Sequence, residues 1–221
     1  MKTALKRCQM GVLTLILLTA SAASAATYTF GSSYLGGGAI TVWPTASSSE
    51  ATVAGMYQLT QEGGPTFNIF CIDLLQRVDW GQPGIPFTWA QLANAPVGAV
   101  YGSSWTGMGE EKAGIIQGLL NEYYPKINGV AANAENLQLA IWDVLAGRDV
   151  LSQADATPSG RIGEMITYAT ANPGNPYLYD ALTVNGTQNF VDPTHVPDGG
   201  VTALMLGTGM MSLAWFRRMK K

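Results

Sequence analysis

The chain has 221 residues, of which 47% are hydrophobic, and its 12 basic residues stand against 15 acidic ones for a formal net charge of −3. The terminal segments hold seven of the basic residues, so the part between them keeps five against all fifteen acidic ones, a net charge of −10. A chain this acidic lacks the basic surface that nonspecific nucleic-acid binding requires, so we expect no nucleic-acid partner.

The first 25 residues have the three parts of a secretory signal peptide. Basic residues precede a largely apolar stretch over residues 11–20, and the sequence Ala-Ser-Ala at 23–25 matches the small-x-small cleavage pattern. We therefore expect export and a mature chain that begins at Ala26. About 170 residues then remain before the C-terminal tail, which is the size of one domain.

The mature chain keeps one cysteine, Cys71, because Cys8 lies within the signal peptide. Structural cysteines of proteins exported to an oxidising compartment are normally paired. An internal disulfide is impossible here, so Cys71 is a buried apolar residue, an intermolecular partner, or committed to other chemistry.

The N-terminal half is rich in Gly, Thr, Ser and aromatic residues, a composition that favours β structure. The glycines at 36–38 and at 63–64 predict turns between strands. Cys71 falls in the last strand of this half. The predicted strands are Thr27–Tyr34, Ala39–Trp43, Ala51–Leu59 and Phe67–Leu75.

Three helices are predicted in the second half. Apolar residues recur at spacings of three and four from Gly109 to Tyr124. A second apolar stripe follows Asn133, a predicted N-cap, and Gly147 ends it. A third helix, over residues 158–171, starts at a proline and stops at Asn-Pro-Gly.

Short strands are predicted at Tyr177–Val184 and Gln188–Val191. The order of antiparallel strands, then two or three helices, then returning strands predicts an α+β fold in a single domain over residues 26–184. Polar residues and a proline over 185–195 predict an exposed spacer.

The chain ends with a short motif, an apolar run over residues 201–216 and a basic tail over residues 217–221. As a helix the 16-residue run is about 24 Å long, short of the ~30 Å hydrocarbon core, so we expect one shallow transmembrane helix. The basic tail predicts a cytoplasmic C-terminus. The motif consists of Val196, Pro197, Asp198, Gly199 and Gly200.

This layout over residues 196–221 resembles the PEP-CTERM class of bacterial sorting signals, in its Val-Pro-Asp-Ser-Gly variant, with Gly199 at the usual Ser position. The resemblance implies an exosortase, a membrane protease, as a partner that removes the helix and the tail. It also implies transit through the inner membrane to the cell surface or extracellular matrix of a bacterium with an outer membrane. A plain C-terminal anchor is the alternative.

Three further segments resemble motifs of bacterial surface thioester domains, over roughly residues 57–145. Residues 70–73 read Phe-Cys-Ile-Asp, similar to an aromatic-Cys-Ile motif, and residues 137–142 read Leu-Gln-Leu-Ala-Ile-Trp, similar to Thr-Gln-x-Ala-Ile-Trp. Residues 116–120 are similar to an intervening apolar-Gln-x-x-apolar motif. The resemblance implies a thioester crosslink between Cys71 and Gln138. The residues that it implies around the crosslink are Phe70, Ile72, Asp73, Gln117, Leu137, Ile141 and Trp142.

A thioester is an activated acyl group that survives only where water is kept away, and it would account for an unpaired exported cysteine. An amine on another surface or in the matrix would then attack the glutamyl carbonyl once, which gives an adhesin and not an enzyme. The alternative is a noncovalent structural module of the surface or biofilm matrix, in which Cys71 is simply buried and Gln138 hydrogen-bonds nearby backbone.

Catalytic and metal sites find little support in the sequence. The one histidine, His195, lies in the predicted spacer, which disfavours a Cys-His nucleophilic centre and a zinc site. No spacing of acidic residues supports a glycosidase pair. We therefore expect no catalytic residue, no cofactor and no metal.

Overall fold

The computed structural model describes residues 26–45, 48–74, 76–97, 106–146, 159–177 and 180–194. The predicted signal peptide, sorting motif, apolar run and basic tail lie outside these ranges. Within them, every helix lacks the combination of length and hydropathy that a membrane crossing needs.

A curled six-stranded antiparallel sheet, three α-helices and a two-stranded ribbon make up the described chain, so the predicted α+β class is confirmed. The sheet order is β1-β2-β3-β8-β7-β4, and β5 pairs with β6. The strands are β1 (Tyr28–Thr45), β2 (Ser48–Gln61), β3 (Thr66–Cys71), β4 (Thr88–Gln91), β5 (Pro96–Val97), β6 (Thr106–Gly107), β7 (Asp180–Thr183) and β8 (Phe190–Val191), and the helices are α1 (Glu110–Tyr123), α2 (Ala131–Ala146) and α3 (Ser159–Ala171).

The predicted turn at glycines 36–38 is wrong, because these residues continue β1. The pairing of β1 with β2 shifts register between Gly36 and Ala39, as at a β-bulge. A Cβ atom on Gly36 would lie 2.3 Å from the backbone oxygen of Ala54, so the glycine permits a close backbone approach. The turn at residues 63–64 is confirmed, and Gly63 has a φ of +69°.

Strand β3 ends at Cys71, earlier than the predicted Leu75. It pairs with β2 through residues 66–69 and with β8 through Phe70 and Cys71. The backbone N–H of Ile72 then donates to the carbonyl of Asn189 at 2.9 Å. Cys71 therefore lies in the middle of the sheet, at the point where the central strand stops.

The three predicted helices are present, and only the start of the second differs. Asn133 is the third residue of α2 and not its N-cap, because the carbonyl of Val130 already accepts from the N–H groups of Asn133 and Ala134. A turn with positive φ at Asn128 and Gly129 precedes this start. Helix α2 lies against β1 and β2 on one side and against α1 and α3 on another, and residues 136–142 are all buried.

The exposed spacer predicted over residues 185–195 is wrong for residues 189–193, which are buried, whereas Asn185, Gly186 and Thr194 are exposed. Phe190 and Val191 form β8 between β3 and β7 and are fully buried, and Asp192 is buried beside them. A polar sequence around two apolar residues resembles a linker, yet a strand in the middle of a sheet needs few residues once its neighbours supply its hydrogen bonds. The short strands predicted at Tyr177–Val184 and Gln188–Val191 contain β7 and β8, whereas β4, β5 and β6 were not predicted.

Packing of α1 against α3 depends on Gly118. A Cβ atom there would lie 2.6 Å from the carbonyl oxygen of Asn172 and 3.2 Å from that of Ala169. We expect Gly118→Ala to lower the free energy of unfolding by about 1–3 kcal/mol through overpacking. Urea denaturation of the two proteins measures this difference in the free energy of unfolding.

The matched control is Gly163→Ala in α3, where an added Cβ meets no atom within 4 Å. Alanine favours a helix over glycine by up to about 1 kcal/mol, so this variant should be as stable as the wild type or more so. Equal effects of the two substitutions would contradict the packing role of Gly118.

Candidate functional site

Cys71 is completely buried, and three polar groups contact its sulfur. The thiol donates to the backbone oxygen of Asp73 at 2.9 Å, and the Asp73 N–H donates to Sγ at 3.3 Å. The Nε2 atom of Gln188 lies 2.6 Å from Sγ and 3.3 Å from the same Asp73 oxygen. The end of β3 and the segment just before β8 thus bring a thiol and a carboxamide together across 117 residues of sequence.

Gln138 contacts the backbone of Cys71. Its Oε1 accepts from the Cys71 N–H at 2.8 Å, and its Nε2 donates to the Cys71 carbonyl at 2.8 Å. Strand β2 stops pairing with β3 at Ile69, so these two backbone groups have no partner strand on that side. The Gln138 carboxamide takes the place of that strand and joins α2 to β3.

Gln188 is a site residue that sequence reasoning missed. An amide C–N bond is about 1.33 Å long, so the 2.6 Å contact puts Cδ of Gln188 within about 3.9 Å of Sγ. The contact is also shorter than the about 2.7–3.2 Å of an N–H···O bond, although sulfur is larger than oxygen. Gln188 lies two residues before β8, at the start of the predicted strand Gln188–Val191 and inside the predicted spacer, and neither prediction indicated a contact with Cys71.

Asn189 holds the segment beside the sulfur in place. Its Nδ2 donates to the Asp73 carboxylate at 3.3 Å and to the Pro96 carbonyl at 3.0 Å, while its Oδ1 accepts from Val184 N–H at 3.0 Å. Asp73 and Asn189 are both 1% exposed. These bonds fix the backbone on both sides of Gln188 and hence the reach of its side chain.

Burial raises the pKa of the Cys71 thiol to about 12, and the neighbouring negative charge of Asp73 adds to the shift. The Asp73 backbone and the side chains of Trp142 and Gln188 lower the pKa of the thiol only in part. The free thiol is therefore protonated at neutral pH, which agrees with its donation to the Asp73 carbonyl. Attack by the sulfur must be accompanied by loss of this proton.

The residues predicted to surround the crosslink are all buried. Asp73 and Trp142 lie next to the sulfur, whereas the stem of Gln117 packs against Gly174. The buried set is Phe70, Ile72, Asp73, Gln117, Leu137, Ile141 and Trp142, each at most 1% exposed. Water is thus excluded from the sulfur on the side of the sheet and of α2.

A cavity of about 280 Å³ lies beside the site. Asp73, Trp142 and the half-buried Gln188 belong to its wall, whereas the sulfur itself is covered. Trp80, which is 47% exposed, also belongs to the wall, and its ring centroid lies 5.0 Å from that of Phe30. The remaining lining residues are Thr52, Val53, Tyr57, Leu74, Gln76, Arg77, Val78 and Asp79.

Among the described residues, no three His, Cys, Asp or Glu side chains come together as metal ligands would. The predicted sorting-motif residues lie outside the described ranges. The candidate site therefore consists of the Cys71 thiol, the carboxamides of Gln138 and Gln188, and the cavity beside them.

No protein-family model matches the chain, and no curated protein sequence does. Among solved structures, the chain is similar to the N-terminal thioester domain of fibronectin-binding protein SfbI from Streptococcus pyogenes. The two are 13% identical, with a TM-score of 0.42, over 80% of this chain and 97% of that one. What the site can do follows from its own contacts.

The bonds of Gln138 predict a large loss of stability in Gln138→Met, which keeps the length of the side chain. Both Cys71 backbone groups would be left buried and unpaired, and each such group costs about 1–3 kcal/mol. We expect the free energy of unfolding to fall by about 2–5 kcal/mol in urea titrations.

Gln91→Met is the control, because Gln91 is exposed and accepts only from the exposed Asn94. The Gln91→Met substitution should change the free energy of unfolding by no more than about 0.5 kcal/mol. A Gln138→Met protein as stable as this control would contradict the joining role of Gln138.

Proposed function

We propose that this protein is an exported bacterial surface protein that forms an internal thioester between Cys71 and Gln188 and uses it to bond covalently to an amine on a partner surface. The 2.6 Å contact between Gln188 Nε2 and Cys71 Sγ carries the proposal. Gln188 replaces Gln138 as the acyl partner, because both polar atoms of the Gln138 carboxamide are already bonded to the Cys71 backbone.

Thioester formation needs only the two side chains. The sulfur attacks Cδ of Gln188, the C–N bond breaks, and the thiol proton leaves with the nitrogen as ammonia. Reacting atoms held about 3–3.5 Å apart gain a large rate advantage over free reactants. A Cδ atom within about 3.9 Å of Sγ is close to that geometry, since the C–N bond is about 1.33 Å long.

The two reacting residues, Cys71 and Gln188, differ in their exposure. Cys71 is 0% exposed, which protects the bond from hydrolysis, while Gln188 faces a cavity that an alkyl amine can enter. Two carboxylates, those of Asp73 and Asp79, and one guanidinium, that of Arg77, belong to the cavity wall, and this net negative charge favours a cationic visitor, as does the net charge of −10 between the terminal segments.

The second step consumes the thioester. The neutral amine, formed when the alkylammonium ion releases one proton to water, attacks Cδ of Gln188. The C–S bond breaks, and the second proton lost by the nitrogen returns the sulfur to a thiol. The product is an amide crosslink and a free Cys71. Each molecule reacts once, so we propose an adhesive role and not an enzymatic one.

We propose a route to the cell surface on the basis of the signals at the two ends of the chain. A signal peptide over residues 1–25 and a sorting signal over residues 196–221 are consistent with transit through the inner membrane and release by an exosortase at the surface. The partners are then this protease during sorting and an amine-bearing surface or matrix afterwards.

Intact mass spectrometry of residues 26–195 tests the thioester. The wild type should be lighter than its sequence by one ammonia, and methylamine should then add one methylamine mass. Cys71→Ala and Gln188→Ala should show the full sequence mass and no reaction. Peptide mapping after methylamine treatment should find the methylamide on residue 188.

A methylamide on Gln138 would show that the thioester joins Cys71 to Gln138 and not to Gln188. An unmodified mass together with a titratable Cys71 thiol would contradict the thioester and support the noncovalent structural module. The intact-mass comparison therefore separates the two functions, and the mapping separates the two glutamines.

Sorting is tested on the full chain in a bacterium that has an exosortase. The protein recovered from the surface should begin at Ala26 and lack residues 201–221. Asp198→Ala should keep the tail attached and leave the protein in the membrane fraction. A wild-type surface protein that retains its tail would support a plain anchor instead.

A further inference from the structure

Trp142 carries a buried N–H group that makes no hydrogen bond to any described residue. The residue is 1% exposed, and its Nε1 atom is without a partner within the described ranges. Buried donors are nearly always paired, so an unpaired one next to a reactive group points to a partner that appears only during the reaction.

The position of Trp142 follows from that of Gln138. The two residues are four apart on α2, so their side chains lie on the same face, one turn from each other. Gln138 is bonded to the backbone of Cys71, and Trp142 lines the same cavity as Asp73 and Gln188, both of which contact the sulfur. The indole side chain therefore lies beside Sγ, and its N–H makes no hydrogen bond to the unreacted thiol.

The sulfur needs a donor whenever it carries charge, because a buried thiolate without one is costly. The Asp73 N–H at 3.3 Å and the Gln188 Nε2 at 2.6 Å serve the unreacted thiol. The Gln188 nitrogen departs as ammonia when the thioester forms. Of the two, only the Asp73 N–H then remains to receive the electron pair of the breaking C–S bond.

We propose that the indole N–H of Trp142 donates a hydrogen bond to the sulfur of Cys71 as negative charge develops on it, both in thioester formation and in opening by an amine. This role rests on the proposed function. A thiol that is a better leaving group departs faster, and Trp142 is one of the groups that lower the pKa of Cys71 against the effect of burial.

The first test measures the rate at which methylamine opens the preformed thioester. A hydrogen bond to a charged group corresponds to about 10- to 100-fold in rate, so Trp142→Phe should react about 10- to 100-fold more slowly than wild type. Trp89→Phe makes the same change on β4 and should react at the wild-type rate. Equal rates for all three proteins would overturn the proposal.

The second test does not require a thioester. In the Gln188→Ala chain, Trp142 is replaced by 3-benzothienylalanine, which keeps the ring volume but has sulfur in place of the N–H group. Alkylation of Cys71 by iodoacetamide at fixed pH should slow by about 10-fold or more, because only the thiolate reacts. An unchanged alkylation rate would overturn the proposal.

The two proposals fail in different ways. A wild-type chain of unmodified mass contradicts the thioester, and the alkylation comparison still decides whether Trp142 donates to the sulfur. A chain that has the thioester but whose opening rate does not depend on the N–H group contradicts the role of Trp142 alone. If Trp142→Phe does not fold, the benzothienylalanine chain with Gln188 intact replaces it in the first test.

Discussion

The pair of 2.8 Å hydrogen bonds between the Gln138 carboxamide and the backbone of Cys71 is the interaction on which the rest of the site depends. It allows β3 to stop in the middle of a sheet without unpaired backbone groups. It also fixes α2 against the strand, which brings Trp142 to the sulfur. A single side chain thus satisfies the sheet, orients the helix and sets the position of the thiol.

Burial has two opposite effects at Cys71. It protects an acyl-sulfur bond from water, and it raises the pKa of the free thiol to about 12, which disfavours the nucleophilic thiolate. Close approach compensates for weak nucleophilicity, because Gln188 is held against the sulfur by a backbone that Asn189 fixes. Such a site suits one slow reaction that follows folding better than repeated turnover.

Local sequence patterns correctly predicted the elements that depend mainly on interactions between neighbouring residues. Helices α1 and α3 and the turn at residues 63–64 follow from apolar spacing, proline and glycine, and the structure confirms them. The bulge at Gly36 depends on contact with β2, and Gln188 meets Cys71 only because β8 pairs with β3. A contact between residues 117 positions apart cannot be recognised from the pattern of about ten neighbouring residues. Cys71 could therefore be identified as unusual from the sequence, but its contact with Gln188 could not.

The departure at Leu137 from the threonine of the thioester-domain motif concerns packing and not chemistry. Leu137 is fully buried in α2, and a hydroxyl group there would need a hydrogen-bond partner inside the core. Leucine fills the position without that requirement. Because Gln138 serves the Cys71 backbone while the proposed acyl group belongs to Gln188, the residue before Gln138 has no reacting atom to orient. Its influence on the site is limited to how firmly α2 holds the end of β3.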